Sequence, residues 1–97
     1  MSYCMIRKPV AAGSQPTEFK FKVYACSFLI KNMTEGNIFV AFGNPTENKD
    51  DMILIRPNSW QRHECRLPSG NLDSADTVYV IGTGGPGDGV EVECLKW

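Results

Sequence analysis

Four cysteines, one histidine and a glycine-rich stretch are the residues of this 97-residue chain with the most chemical potential. Cys4, Cys26, Cys65 and Cys94 are far apart in sequence, and no C-x-x-C pair exists. Zinc sites usually take paired ligands at short spacing. A set of Cys4, Cys26, Cys65 and His63 satisfies the ligand count but not the spacing, so no metal site and no cofactor is expected. Four cysteines also allow two disulfides in three connectivities. The segment Met1 to Pro16 holds Arg7 and Lys8 but no apolar run of the secretory kind. A reducing compartment and free thiols are therefore expected, with cysteine acting as a small apolar group. Cys26 and Cys94 both stand in apolar, strand-like runs, which fits core packing.

The stretch Gly82-Thr-Gly-Gly-Pro-Gly-Asp-Gly89 holds five of the nine glycines. Glycine-rich loops cradle phosphate where they lead into a helix N-terminus. This one leads into the strand-like run at Val90 and lacks a following Lys-Ser/Thr, so a flexible connection is expected, whose tip can still serve as a contact loop. Glu47, Asn48, Asp50 and Asp51 supply oxygen ligands of the calcium type, but not at EF-hand spacing, and a solvated turn is expected. Ser27, Ser59, His63 and Asp76 contain the residue types of a hydrolytic triad. No serine stands in a nucleophile-elbow sequence, and no catalytic residue is expected. Asn32-Met33-Thr34 has the form of a glycosylation sequon, which acquires meaning only on secretion. Trp60, beside a turn, and Trp97, in the last position, are candidate interface anchors. Tyr3 and Ile6 near the start join them.

The elements that position these residues are strands. Phe19, Phe21, Val23 and Ala25 alternate with Lys20, Lys22 and Tyr24, the period of a half-buried strand. Parity shifts after Cys26-Ser27, where a bulge or bend is expected, and the run to Asn32 followed by Ile38–Phe42 suggests a hairpin. Met52–Ile55 reads as a strand ended by Pro57, and in Ser59–Leu67 the face of Trp60, Arg62 and Glu64 opposes that of His63 and Cys65. Leu72 is a candidate anchor for the loop before Thr77–Ile81, which has the composition of a central strand. Val90–Trp97 alternates again. Tyr3–Arg7 is a candidate eighth strand, although residues 1–17 otherwise read as an extended N-terminal arm that orders against a neighbour. Residues 18–97 then form one antiparallel β-sandwich of six to eight strands, immunoglobulin-like or jelly-roll-like. A 42% hydrophobic and 22% charged composition is that of a globular domain. A net charge of −1 argues against an electrostatic nucleic-acid binder. The longest charge-free apolar run, Val23–Ile30, is far shorter than the about 20 residues of a spanning helix, so no membrane partner is expected.

Asn32, Thr34, Ile53, Ile55, Pro57 and Ser59 follow a pattern of N-x-T/S, strand, polar loop, I-x-I-x-P-x-x-S and strand, with Ser59 one position nearer Pro57. In this respect the chain resembles the small all-β accessory proteins of tailed-bacteriophage virions. The resemblance covers about a third of the chain. It implies a non-enzymatic structural protein of the capsid decoration, head-fibre or tail type. Its partners would be itself or a major capsid or tail protein, and it would be found in the virion after assembly in host cytoplasm. Leu72–Tyr79 is also similar to the corner before strand F of immunoglobulin domains, but Ile81 stands where that family has cysteine. The alternative reading is a small intracellular carbohydrate- or ligand-binding module that uses Trp60.

Overall fold

Strict alternation forces each strand to hide one face, and the chain answers with two sheets packed face to face. The computed structural model describes residues 4–10, 13, 15–43, 52–65, 69–85 and 87–96. These form β1 (Met5–Lys8), β2 (Thr17–Ala25), β3 (Ser27–Asn32), β4 (Ile38–Phe42), β5 (Ile53–Ile55), β6 (Ser59–Glu64), β7 (Ala75–Gly82) and β8 (Val90–Lys96). Sheet 1 has the order β1-β8-β3-β6 and sheet 2 the order β2-β7-β4-β5, all neighbours antiparallel. The described residues thus form an all-β antiparallel sandwich of eight strands.

The order has a simple logic. Strand pairs 1–8, 2–7, 3–6 and 4–5 are those of a chain folded back on itself at its middle. Rolling that double ribbon sets β3 beside β8 and β4 beside β7. This is the jelly-roll arrangement of an eight-stranded double sheet, so of the two expected topologies the strand order selects the jelly-roll-like one. Successive strands repeatedly change sheets, which accounts for one expectation and corrects another. The parity shift at Cys26 is a bend, where the chain leaves sheet 2 at Ala25 and enters sheet 1 at Ser27, and the β3–β8 register shifts between Ser27 and Phe28. Residues 27–42 are not a hairpin, since β3 and β4 lie in opposite sheets and join their apolar faces across the core.

The core forms where those faces meet. Phe28 of sheet 1, fully buried, contacts Phe21 and Phe42 of sheet 2 at centroid distances of 5.8 and 5.4 Å. Ile30, Val90 and Val92 extend the packing from sheet 1, and Phe19, Val78 and Val80 from sheet 2. Removing a buried phenylalanine from such a site typically costs about 3–5 kcal/mol.

The expected arm is corrected over residues 4–10. β1 pairs with β8 from Met5↔Glu93 to Lys8↔Val90, and the buried side chains of Cys4 and Val10 belong to the core. A strand that buries apolar neighbours in its own domain needs no second subunit to order it. Tyr3 lies outside the described residues. Lys8 faces inward, donating to the carbonyl of Glu18 with its ammonium 4.7 Å above the Phe19 ring. It ties the edge of sheet 1 to the edge of sheet 2. Leu72, expected to anchor its loop, is instead exposed.

The glycine-rich connection is also no free tip. Its backbone is zipped to the β3–β4 turn: Glu35 N–H donates to Gly85 (3.0 Å), Asp88 N–H to Met33 (3.0 Å) and Thr83 N–H to Asn37 (3.1 Å). Gly36 and Gly84 cross so closely that a Cβ on Gly36 would stand 2.6 Å from the Gly84 nitrogen. Glycine is required here by contact, with backbone on both sides. Overpacking of this kind costs about 1–3 kcal/mol. Gly84→Ala is therefore expected to destabilise the fold by about that amount in urea unfolding. Gly13→Ala, whose Cβ would meet nothing within 4 Å, should change stability by less than about 0.5 kcal/mol.

Candidate functional site

The sequence-derived candidates separate once the strands are placed. Asp76 sits in sheet 2 and bonds Lys20 at 3.1 Å, while His63 sits in β6 of sheet 1. The Lys20 ammonium is the main cause that holds the Asp76 carboxyl below its ordinary range, and Asp76 in turn raises Lys20. Ser27 is buried and its Oγ makes no hydrogen bond, so Ser27, His63 and Asp76 do not assemble as a triad. Ser59 stands four positions from His63 along the same strand, and its hydroxyl donates to the Pro57 carbonyl at 3.4 Å.

The imidazole of His63 lies flat on Phe42, with centroids 4.2 Å apart and planes at 15°. Burial disfavours the charged ring and pulls its pKa below 6.5, against a smaller opposing effect of Glu64. The ring closes the β6 side of the core as a flat, neutral plate.

Among the described residues, no group of three or more His, Cys, Asp or Glu side chains is placed to hold a metal ion. The four-ligand set of Cys4, Cys26, Cys65 and His63 is divided, because the Cys94 amide donates to Cys4 and the Cys65 amide to Cys26. Glu47, Asn48, Asp50 and Asp51 lie outside the described residues.

Asn32 is a hub and not an acceptor for sugar. It is 1% exposed; its Nδ2 donates to the carbonyls of Gly36 and Ile55, both at 2.9 Å, and its Oδ1 accepts from the Thr34 amide (2.9 Å) and hydroxyl (2.6 Å). The Asn-x-Thr spacing thus builds the β3–β4 turn and joins it to β5. A buried amide with both donors engaged has no free nitrogen for a glycan.

What remains is a surface. On the outer face of sheet 1, register aligns Arg7, Glu91, Lys31 and Trp60 in one row across all four strands. Glu91 takes Lys31 at 3.3 Å and Arg7 at 4.0 Å. Such exposed pairs contribute little individually, but they order the row. It ends at Trp60 on the edge strand β6, 70% exposed. Of the other proposed anchors, Ile6 points inward and packs against the core, so it is not an exposed contact. Trp97 lies outside the described residues. A feature the sequence reading missed is Leu54, exposed on the outer face of sheet 2, in register with Phe39 and Ile81. The I-L-I alternation of Ile53–Ile55 holds the signal, since one of three apolar residues must face out.

The four sheet edges differ in how open they are to another strand. β1 and β5 are short, and β1 carries the inward Lys8, a device that blunts edges. β2 presents Lys20 and Lys22 and shifts register between Lys20 and Ala25. β6 pairs with β3 in unbroken register over six residues and contains neither Lys nor Pro. The bond from the Cys65 amide to the Cys26 carbonyl sets the alternation of that ladder. It turns the backbone groups of residues 61, 63 and 65 toward β3 and those of Trp60 and Arg62 away from it.

No family model, curated protein or solved structure matches the chain. Among the described residues no helix is long and apolar enough to cross a membrane.

The neutral His63 plate sets a pH dependence. Its folded pKa lies below that of the unfolded chain, so the unfolded state binds more protons in between. The stabilising contribution is present above about pH 6.5 and is lost as pH falls toward the folded value. Stability measured by urea unfolding is expected to decline as pH drops below about 6.5. In His63→Gln the decline in this window should disappear, while the acid limb from Asp76 remains at lower pH.

Proposed function

We propose that this protein is a non-enzymatic structural module that associates through the β6 edge, with Trp60 as its anchor. The observation that carries the reading is Trp60 itself, an indole 70% exposed on the one sheet edge among the described residues that is both regular in register and free of Lys and Pro. An exposed tryptophan at a partner surface supplies large rigid contact area, and an open antiparallel edge can add a neighbour's strand through backbone bonds. The wider role is that of a virion structural protein of the capsid decoration or head-and-tail accessory kind, which binds copies of itself or a major capsid or tail protein. Two things support it: the resemblance carried by Asn32, Thr34, Ile53, Ile55, Pro57 and Ser59, and a jelly-roll strand order, an architecture that includes viral capsid domains. Fold alone does not set function.

A second reading takes the same indole as a stacking platform for a sugar ring. Arg62, exposed on the same face of β6, offers hydrogen-bond donors to hydroxyls, and jelly rolls also include lectins.

Sedimentation distinguishes the two. The wild-type chain is expected to associate at micromolar concentration, or to bind particles of its source. With a net charge of −1, salt up to about 0.5 M should matter little. Trp60→Ala should weaken association by about 2 kcal/mol or more, about thirtyfold. Arg62→Pro removes an amide directed away from β3 and should abolish strand addition while the far-ultraviolet circular dichroism stays that of a folded β domain. A chain that stays monomeric and bound to nothing overturns the reading. A monomer whose tryptophan fluorescence responds to saccharides, and loses that response in Trp60→Ala, establishes the second.

A further inference from the structure

The four cysteines are scattered along the sequence, yet the fold sorts them into two opposed pairs. The β1–β8 register runs Ile6↔Val92, Met5↔Glu93, so its next step sets Cys4 opposite Cys94. The β3–β6 register runs Phe28↔His63, Ser27↔Glu64, so its next step sets Cys26 opposite Cys65. One backbone bond marks each step: Cys94 N–H to the Cys4 carbonyl at 2.7 Å and Cys65 N–H to the Cys26 carbonyl at 2.8 Å. Both pairs lie at the same end of sheet 1, on strands whose order is β1-β8-β3-β6. All four thiols are reduced in the structure.

We propose that these are two cross-strand disulfide sites, Cys4–Cys94 and Cys26–Cys65, and that the native fold permits this connectivity and neither of the other two. Residues directly opposite in an antiparallel ladder have Cα atoms about 4.5–5.5 Å apart, within the about 4.4–6.8 Å that disulfides span. Opposed side chains also leave the ladder on the same face, so the two sulfurs of a pair share one side of the sheet. The Cys4 side chain is among the groups that push the Cys94 thiol up.

Burial keeps the thiols protonated, pushing Cys94 up to about 12 and Cys65 up to about 11. The thiolate is the reacting form, and Cys4, Cys65 and Cys94 are buried. The pairs therefore behave as structural staples, closed while the chain folds, and not as fast redox sensors. The oxidant is a small disulfide such as oxidised glutathione. A cysteine thiolate attacks it, forming a mixed disulfide and releasing one reduced glutathione. The opposed cysteine then displaces the second. One S–S bond is made and one broken for each pair, and the two thiol protons end on the two glutathiones. The Cys4–Cys94 bridge would close nearly the whole chain into a loop, the case in which a cross-link restricts the unfolded state most.

The test is refolding of the reduced, denatured chain in a reduced/oxidised glutathione buffer, followed by alkylation, intact mass and peptide mapping without reduction. The expected product has lost two hydrogens per pair, takes up no alkylating agent, and yields linked peptides joining Cys4 to Cys94 and Cys26 to Cys65. It should keep the circular dichroism of the reduced chain and unfold at higher guanidinium concentration. Cys94→Ala should leave the Cys26–Cys65 bridge in place and Cys4 open to alkylation. Any linkage of Cys4 or Cys94 to Cys26 or Cys65 in the folded product overturns the proposal. So does a folded chain that retains four alkylated thiols, or oxidised material less stable than the reduced chain.

Discussion

The ladder between β3 and β8 is the interaction on which the rest of this structure depends. Folding the chain at its middle yields only a long double ribbon, stabilised by pairs such as β2–β7 and β3–β6. That ribbon has two open apolar faces and nothing to bury them against. Pairing β3 with β8, from Phe28↔Cys94 to Asn32↔Val90, rolls it so that the inner faces meet, and β4–β7 makes the equivalent closure in sheet 2. Phe28, Ile30, Val90 and Val92 reach the core only through this contact. Nearly every such pairing joins residues distant in sequence, so little of the core forms before the roll closes. Folding through such contacts is intrinsically slow, because loop closure is unfavourable until the contacts are made.

The two ends of sheet 1 are secured by different chemistry. At one end, Asn32 distributes four hydrogen bonds among Thr34, Gly36 and Ile55, and the Gly36–Gly84 crossing locks the glycine-rich connection on top of it. This end relies on buried polar groups that are fully partnered and on backbone contact too close for any Cβ. The other end holds the opposed cysteines, where side chains of small volume meet across two ladders. Between them runs the surface row of Arg7, Glu91, Lys31 and Trp60, in which three charges occupy one another and the indole is left at the open edge. That division leaves Trp60 exposed on the β6 edge, away from the contacts that hold the two ends together.

Much of the element list is readable from alternation alone. Period two from Phe19 to Ala25 and from Val90 to Cys94 defines which side chains enter the core. The β-branched run Thr77–Ile81 marks the strand between β2 and β4 in sheet 2. The opposition of Trp60 to His63 follows from parity, because a strand has only two faces. The exposure of Trp60 does not follow, since parity alone does not say which face of β6 meets the core. Pairing partners are equally invisible: the backbone hydrogen-bonding groups are nearly the same for every residue, so nothing local distinguishes a β7–β4–β5 neighbourhood from a β3–β4 hairpin. For that reason residues 27–42 suggest a hairpin and form a sheet crossing.

An all-β sandwich, its core-facing residues and the lack of short-spaced metal motifs are legible in the residues alone, because periodicity and spacing are local properties. Which strands are neighbours is settled in the assembled fold, and with it everything that depends on distance across sheets. The fold made the N-terminal strand part of the core by giving it β8 as a partner. It turned a sequon into a turn scaffold by burying Asn32, and a flexible-looking glycine stretch into a fitted contact by placing Gly36 against Gly84. It set Cys4 opposite Cys94 and Cys26 opposite Cys65, because register is a collective property of whole strands and one residue of slip would have sent every one of those side chains to the opposite face.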